Sequence, residues 1–115
     1  MKKLMLAAAL AVVSGCMAHA PVLRLEKSTM TIRHAEEAGA LDVPLAKAHL
    51  LRAREEQEVA RRLANARDPR AETLMACSEA DAELALALAR EAQLRHEAVK
   101  AQNELAELKW KGGSQ

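Results

Sequence analysis

The chain has 115 residues, half of them apolar, with 17 Lys and Arg against 16 Asp and Glu. A near-neutral balance and a single aromatic residue, Trp110, exclude the basic, aromatic-studded surface that nucleic-acid binding needs. They also leave no strong field to steer a charged substrate. Much of the apolar share is alanine, which buries little area per side chain. The length allows one domain at most, and a thin-cored, extended all-helical assembly is expected.

Met1-Lys2-Lys3 is a short basic start, and Leu4 to Val13 is an unbroken apolar run that ends at the small residues Ser14 and Gly15. Basic start, apolar middle and small residues before a cut define a secretory signal. A membrane-spanning helix needs about 20 apolar residues, and this run is broken at Ser14, Gly15 and His19. Val13-Ser14-Gly15-Cys16 resembles the lipobox of bacterial lipoprotein signals, with valine in place of the usual leucine. The resemblance implies a diacylglyceryl thioether on Cys16, cleavage before it and fatty acylation of the new amine. Residues 1–15 are then a discarded leader and 16–27 a lipidated tether.

Several acyl chains on one cysteine hold a protein on its membrane, since each buried CH₂ contributes about 0.8 kcal/mol. Met17, rather than aspartate, follows the cysteine, and by the same resemblance this implies the periplasmic side of an outer membrane rather than the inner one. The alternative is a soluble, secreted periplasmic oligomer cut after Ala18 or Ala20, because Ala18-His19-Ala20 fits the small-x-small pattern. Loss of Lys2 and Lys3 with the leader takes the 17 basic residues to 15, against 16 acidic ones.

Pro21 opposes helix around Ala20, so the tether is expected to run to Lys27. Ser28 or Thr29 can cap a short first helix that ends near Ala38, where Gly39 supplies the needed backbone freedom. Asp42 as cap and Pro44 in the first turn start a second helix at Val43, continuing to Ala66. Asp68-Pro69 punctuates the body and starts a third helix that runs to Lys109 without Gly or Pro. At 1.5 Å per residue the third helix is about 60 Å long and the second about 36 Å. The expected architecture over 28–110 is therefore a short helix, then an antiparallel, coiled-coil-like hairpin whose last helix overhangs. Residues 111–115 are expected to be a frayed tail.

Steps of three and four from Cys77 reach Ala80, Leu84, Ala87, Glu91, Leu94, Ala98, Ala101, Leu105 and Leu108, all apolar but Glu91. Such a 3.5-residue stripe is the mark of helix against helix in a left-handed crossing. It is expected to form the inside of the hairpin against Leu45, Ala48, Val59, Leu63 and Ala66, burying the Cys77 thiol. From about Arg90 the stripe would overhang and offer Leu94, Leu105, Leu108 and Trp110 to another envelope protein or a second copy.

Ala38-Gly39-Ala40, Pro44, Ala53-Arg54-Glu55 and Ala60-Arg61-Arg62-Leu63-Ala64 are similar to a family of short bacterial envelope proteins. The likeness continues through Ala71 to Ala76, Glu79-Ala80-Asp81-Ala82 and Ala85. The family is the domain of unknown function four-three-nine-eight, and the resemblance spans Thr31 to Arg90. It implies a lipoprotein with an alanine-rich helical body, and it supplies no activity and no catalytic residues.

No Ser-His-Asp arrangement, glycine-rich phosphate loop or paired-cysteine metal spacing occurs in the sequence. His34, His49 and His96 are well separated, and His49 is placed to meet Glu36 or Glu37 across the first turn. Asp81 and Glu91 lie on or beside the stripe, but alanine walls build no pocket for acid–base work. The expectation is a structural or protein-interaction module without catalysis, metal or cofactor.

Overall fold

A computed structural model describes residues 21–114, with side chains from Arg24 onward. The leader, Val13, Ser14, Gly15 and Cys16 lie outside the described residues. The order is α1 (Pro21–Glu37), a single 3-10 turn (Ala40–Asp42), α2 (Pro44–Asn65) and α3 (Arg70–Gly113). The expected all-α architecture is present, with the antiparallel α2–α3 hairpin and the long overhanging last helix.

α3 is the spine. Lys27 pairs with Glu79 and, at 3.4 Å, with Glu83, while Gln93 Nε2 donates to the Ala38 carbonyl at 3.0 Å. Rising numbers on both helices make α1 parallel to α3. Ser78 meets Ala53 and Asp81 meets His49, so α2 runs antiparallel to it. The bundle ends where its partners end. Ala89 is the last buried residue of α3, and every residue from Gln93 to Ser114 is exposed. At 1.5 Å per residue about 30 Å of bare helix projects past the α1–α2 turn.

Each helix buries one stripe spaced by threes and fours, and the stripes are made of small residues. α1 contributes Ser28, Ile32 and Ala35; α2 contributes Ala46, Leu50, Ala53 and Ala60; α3 contributes Ala71, Met75, Ser78, Ala82, Ala85 and Ala89. The three largest fully buried side chains are Leu50, Ser28 and Ser78. A core that small requires the three backbones to approach closely.

The inside of the hairpin is therefore not the stripe expected from the sequence. Cys77 is exposed with its thiol free, Ala80 and Ala87 are exposed, and Leu84 is 42% exposed. On α2, Leu45 and Ala48 face solvent, while Val59 and Leu63 are half-buried. Two 3.5-residue stripes coexist on α3, and close packing selects the smaller-sided one.

The boundaries follow from local chemistry. Helix already covers Pro21 to Lys27, the stretch expected to be tether, instead of starting after Lys27. Gly39, at φ 82°, ends α1 with its N–H donating to the Glu36 carbonyl. Val43, not Asp42, occupies the N-cap of α2. α2 closes with Arg67 at φ 56°, the Arg67 N–H bonding the Ala64 carbonyl and the Asp68 N–H the Leu63 carbonyl. This is the Schellman pairing, here with arginine where glycine is usual. Asp68 then accepts from the Arg70 N–H at 2.9 Å, and the Arg70 guanidinium beside it lowers its carboxyl to about 2. At the far end α3 continues through Lys111, Gly112 and Gly113, and Ser114 Oγ donates to the Trp110 carbonyl.

At the centre, Ser78 Oγ donates to the Ala53 carbonyl at 2.7 Å, which uses its only proton. Ser28 Oγ, 2.7 Å from Ser78 Oγ, is then the donor to it, and Gln57 Nε2 donates to Ser28 at 3.3 Å. One line of donors thus crosses α2, α1, α3 and returns to α2. Removing either hydroxyl is expected to cost about 1–2 kcal/mol in chemical denaturation. The Ser28→Ala/Ser78→Ala pair is expected to cost clearly less than the sum, because each single change strands the other group.

Candidate interaction surface

Two features stand out beyond the packing: a polar cluster on the α2–α3 seam and the bare length of α3. In the cluster, His49 Nδ1 lies 2.6 Å from Asp81 Oδ1, with both side chains largely covered. The carboxylate accepts, which places the ring proton on Nδ1. One helical face of α2 carries His49 and Glu56 seven residues apart, and Asp81 of α3 faces both.

Glu56 Oε2 is buried without a hydrogen-bond partner. Loss of water raises its carboxyl above the ordinary carboxylate range, and the neighbouring Asp81 charge adds to the rise. His49 meets Asp81 rather than Glu36 or Glu37, and Glu36 pairs with Arg54 instead. The reason is the bundle's register: α2 crosses α1 higher up, at Arg54 and Gln57. Among the described residues, no group of three His, Cys, Asp or Glu is placed to hold a metal ion. What the cluster does is fasten α2 to α3, at the expense of one strained carboxyl.

Where α3 leaves the bundle, an open notch of about 460 Å³ lies between the α1–α2 turn and the bare helix. Gly39, Asp42, Gln93, His96 and Glu97 border it. The turn that makes this notch is held by Gly39, whose left-handed backbone folds Asp42 back toward it.

The bare helix carries the apolar residues picked from the sequence. Leu94 is 65% exposed, Leu105 53%, Leu108 67% and Trp110 80%. Lettering the stripe as a heptad puts Cys77, Leu84, Glu91, Ala98 and Leu105 at a, and Ala80, Ala87, Leu94, Ala101 and Leu108 at d. The buried stripe of α3 then falls at b and f, on the opposite side. The a/d stripe is thus continuous from Cys77 to Leu108 and open to solvent along its whole length. Trp110 lies off it, at f. Among the described residues, no helix is long and apolar enough to cross a membrane.

Comparisons with family models, with curated proteins and with solved structures found no match. The likeness to the envelope family therefore rests on the quoted residues alone.

The cluster yields a pH-dependent prediction. A raised acid means that the folded chain holds the Glu56 proton more tightly than the unfolded chain does, so folding loses stability as pH rises through that range. Glu56→Gln is expected to be more stable than wild type at pH 7 in urea titrations. The gain is expected to shrink as pH falls through the raised value, where the native carboxyl takes up its proton, and to be gone below the ordinary glutamate value.

Proposed function

We propose that the chain is an envelope lipoprotein, anchored through Cys16 to the periplasmic side of the outer membrane, whose helical body is a non-catalytic stand for an interaction surface. Val13-Ser14-Gly15-Cys16 supports the anchor: an apolar run, two small residues and a cysteine at the position where a lipobox places it. The direction of the helices supports the stand. α1, which follows the tether, starts at the end of the bundle where α2 turns into α3. The free part of α3 projects from the other end, so the bundle separates anchor from docking helix. From Ala71 to Gly113 the spine measures about 63 Å at 1.5 Å per residue.

The observation that carries the interaction role is the exposed row Leu94, Leu105 and Leu108 on a stretch of helix with no neighbour among the described residues. A soluble monomer gains nothing from a continuous apolar row held away from its core. No metal or cofactor enters the reading.

Metabolic labelling with a fatty acid tests the anchor. Wild-type protein is expected to take the label and sediment with outer membranes, and Cys16→Ser is expected to lose both. Unlabelled wild-type protein free in the periplasm, with its amino end at His19 or Pro21, would contradict the anchor and favour secretion without lipid.

A further inference from the structure

We propose that the arginine-bearing end of the bundle rests on anionic lipid headgroups, which stands the anchored chain upright on its membrane. This rests on the Cys16 anchor and deepens that reading by naming what the base of the stand meets.

Chain length brings this end to the lipid. Ser28 of α1 bonds Ser78 of α3 and the two helices run parallel, so two turns earlier Pro21 and Ala71 stand at one height. The turn from Ala66 to Pro69 lies just beyond them, at the same end. Helix from Pro21 onward leaves only Met17 to Ala20 between the anchor cysteine and the bundle. Even fully extended, that link reaches about 18 Å.

Charge matches an anionic surface. Arg24, Arg61, Arg62, Arg67 and Arg70 are gathered at this end, against Asp68 and Glu72, while Glu26 and Glu58 lie further up the flanks. Asp68 is closed on Arg70 at 2.7 Å, and Arg61 lies 3.9 Å from Glu58. Arg24, Arg62 and Arg67 have no ion-pair partner among the described residues. α1 and α3 both begin here, so two positive helix ends face outward. The one negative end, that of α2, is closed by the Arg67 and Asp68 N–H groups. The notch at the opposite end of the bundle is bordered instead by the carboxylates Asp42 and Glu97.

Arg67 marks this face most clearly. At φ 56° it holds a backbone conformation that glycine adopts freely and other residues adopt at a cost. The residue is exposed, so packing within the bundle does not offset that cost. An arginine there keeps a cation at the tip of the base.

Attraction between such cations and a negative surface falls off within a Debye length, about 8 Å at physiological salt. The short link lets the base come that close, and the arginines hold it there. Lying flat is disfavoured, because the bare part of α3 mixes Glu91, Glu97, Glu104 and Glu107 with Arg95, Lys100 and Lys109.

The test uses the full chain as its cell processes it, carrying Cys77→Ser, in phosphatidylcholine vesicles with or without phosphatidylglycerol. A bimane label on Asn65→Cys, at the base, or on Asn103→Cys, on the bare helix, reports depth through a headgroup-bound nitroxide quencher. The base label is expected to be quenched more strongly with phosphatidylglycerol, and high salt is expected to remove the difference. The Asn103→Cys label is expected to stay unquenched in both lipids. Arg62→Gln and Arg67→Gly are each expected to lower the ratio of seated to lifted bases about 5-fold. Glycine suits the left-handed position, so Arg67→Gly is expected to keep or raise the urea midpoint, which separates loss of charge from loss of fold.

Equal quenching of the base label in the two lipids, or quenching at Asn103→Cys as strong as at the base, overturns the proposal and leaves the anchor standing. A chain that carries no fatty acid and floats with neither vesicle overturns both. A chain without fatty acid that floats with the phosphatidylglycerol vesicles alone overturns the anchor and supports the arginine face.

Discussion

Close approach of three helix backbones is the constraint on which this structure depends. Alanine at Ala35, Ala46, Ala53, Ala60, Ala82, Ala85 and Ala89 leaves nothing between the helices to hold them apart, so the gain from burial per turn is small. The compensation is contact density and a few directional bonds. Ser28 and Ser78 fill positions where a larger side chain would wedge the helices open, and their hydroxyls bond one another and the Ala53 carbonyl. The His49–Asp81 contact and the Lys27 pairs with Glu79 and Glu83 fix which faces meet. With one large aliphatic side chain fully buried, Leu50, register matters more here than apolar area.

The same constraint explains what was legible in the sequence and what was not. Gly39, Pro44 and Asp68-Pro69 punctuate the chain by local backbone chemistry, so the breaks between helices can be read residue by residue. The overhang follows from arithmetic on helix lengths. The buried face does not. Reading by apolar area selects Cys77, Leu84, Leu94, Leu105 and Leu108, whereas the bundle selects Ala71, Met75, Ser78, Ala82, Ala85 and Ala89 from the other 3.5-residue stripe of the same helix. A serine at the centre of a stripe lowers its apparent hydrophobicity, yet in a close-packed seam serine is small enough to fit and finds an acceptor. The interhelical contacts were equally invisible, because His49 and Asp81 are 32 residues apart and only the register brings them together.

Misreading which stripe is inside changes the meaning of the other. If the leucine-bearing stripe were the hairpin's interior, only the part beyond Arg90 would be available to a partner. With the interior on the opposite face, the row from Cys77 to Leu108 is free throughout, and the spine has one face committed to the bundle and another open. On the proposed interaction role the larger side chains belong on the outside: an interface between separate chains has to recover the entropy of association, and leucine contributes more area per turn than alanine does. Division of labour between the two faces is what the proposed reading, an anchored protein that presents one helix at a distance, rests on.

Urea denaturation of two alanine-to-leucine variants two residues apart tests that division most directly. Ala82→Leu, which thickens the close-packed seam, is expected to lower stability by about 1–3 kcal/mol. Ala80→Leu, on the open stripe, is expected to change it by less than about 0.5 kcal/mol. A destabilised Ala80→Leu beside an unaffected Ala82→Leu would mean that the leucine-bearing face is the interior, and the account of the bundle would be wrong.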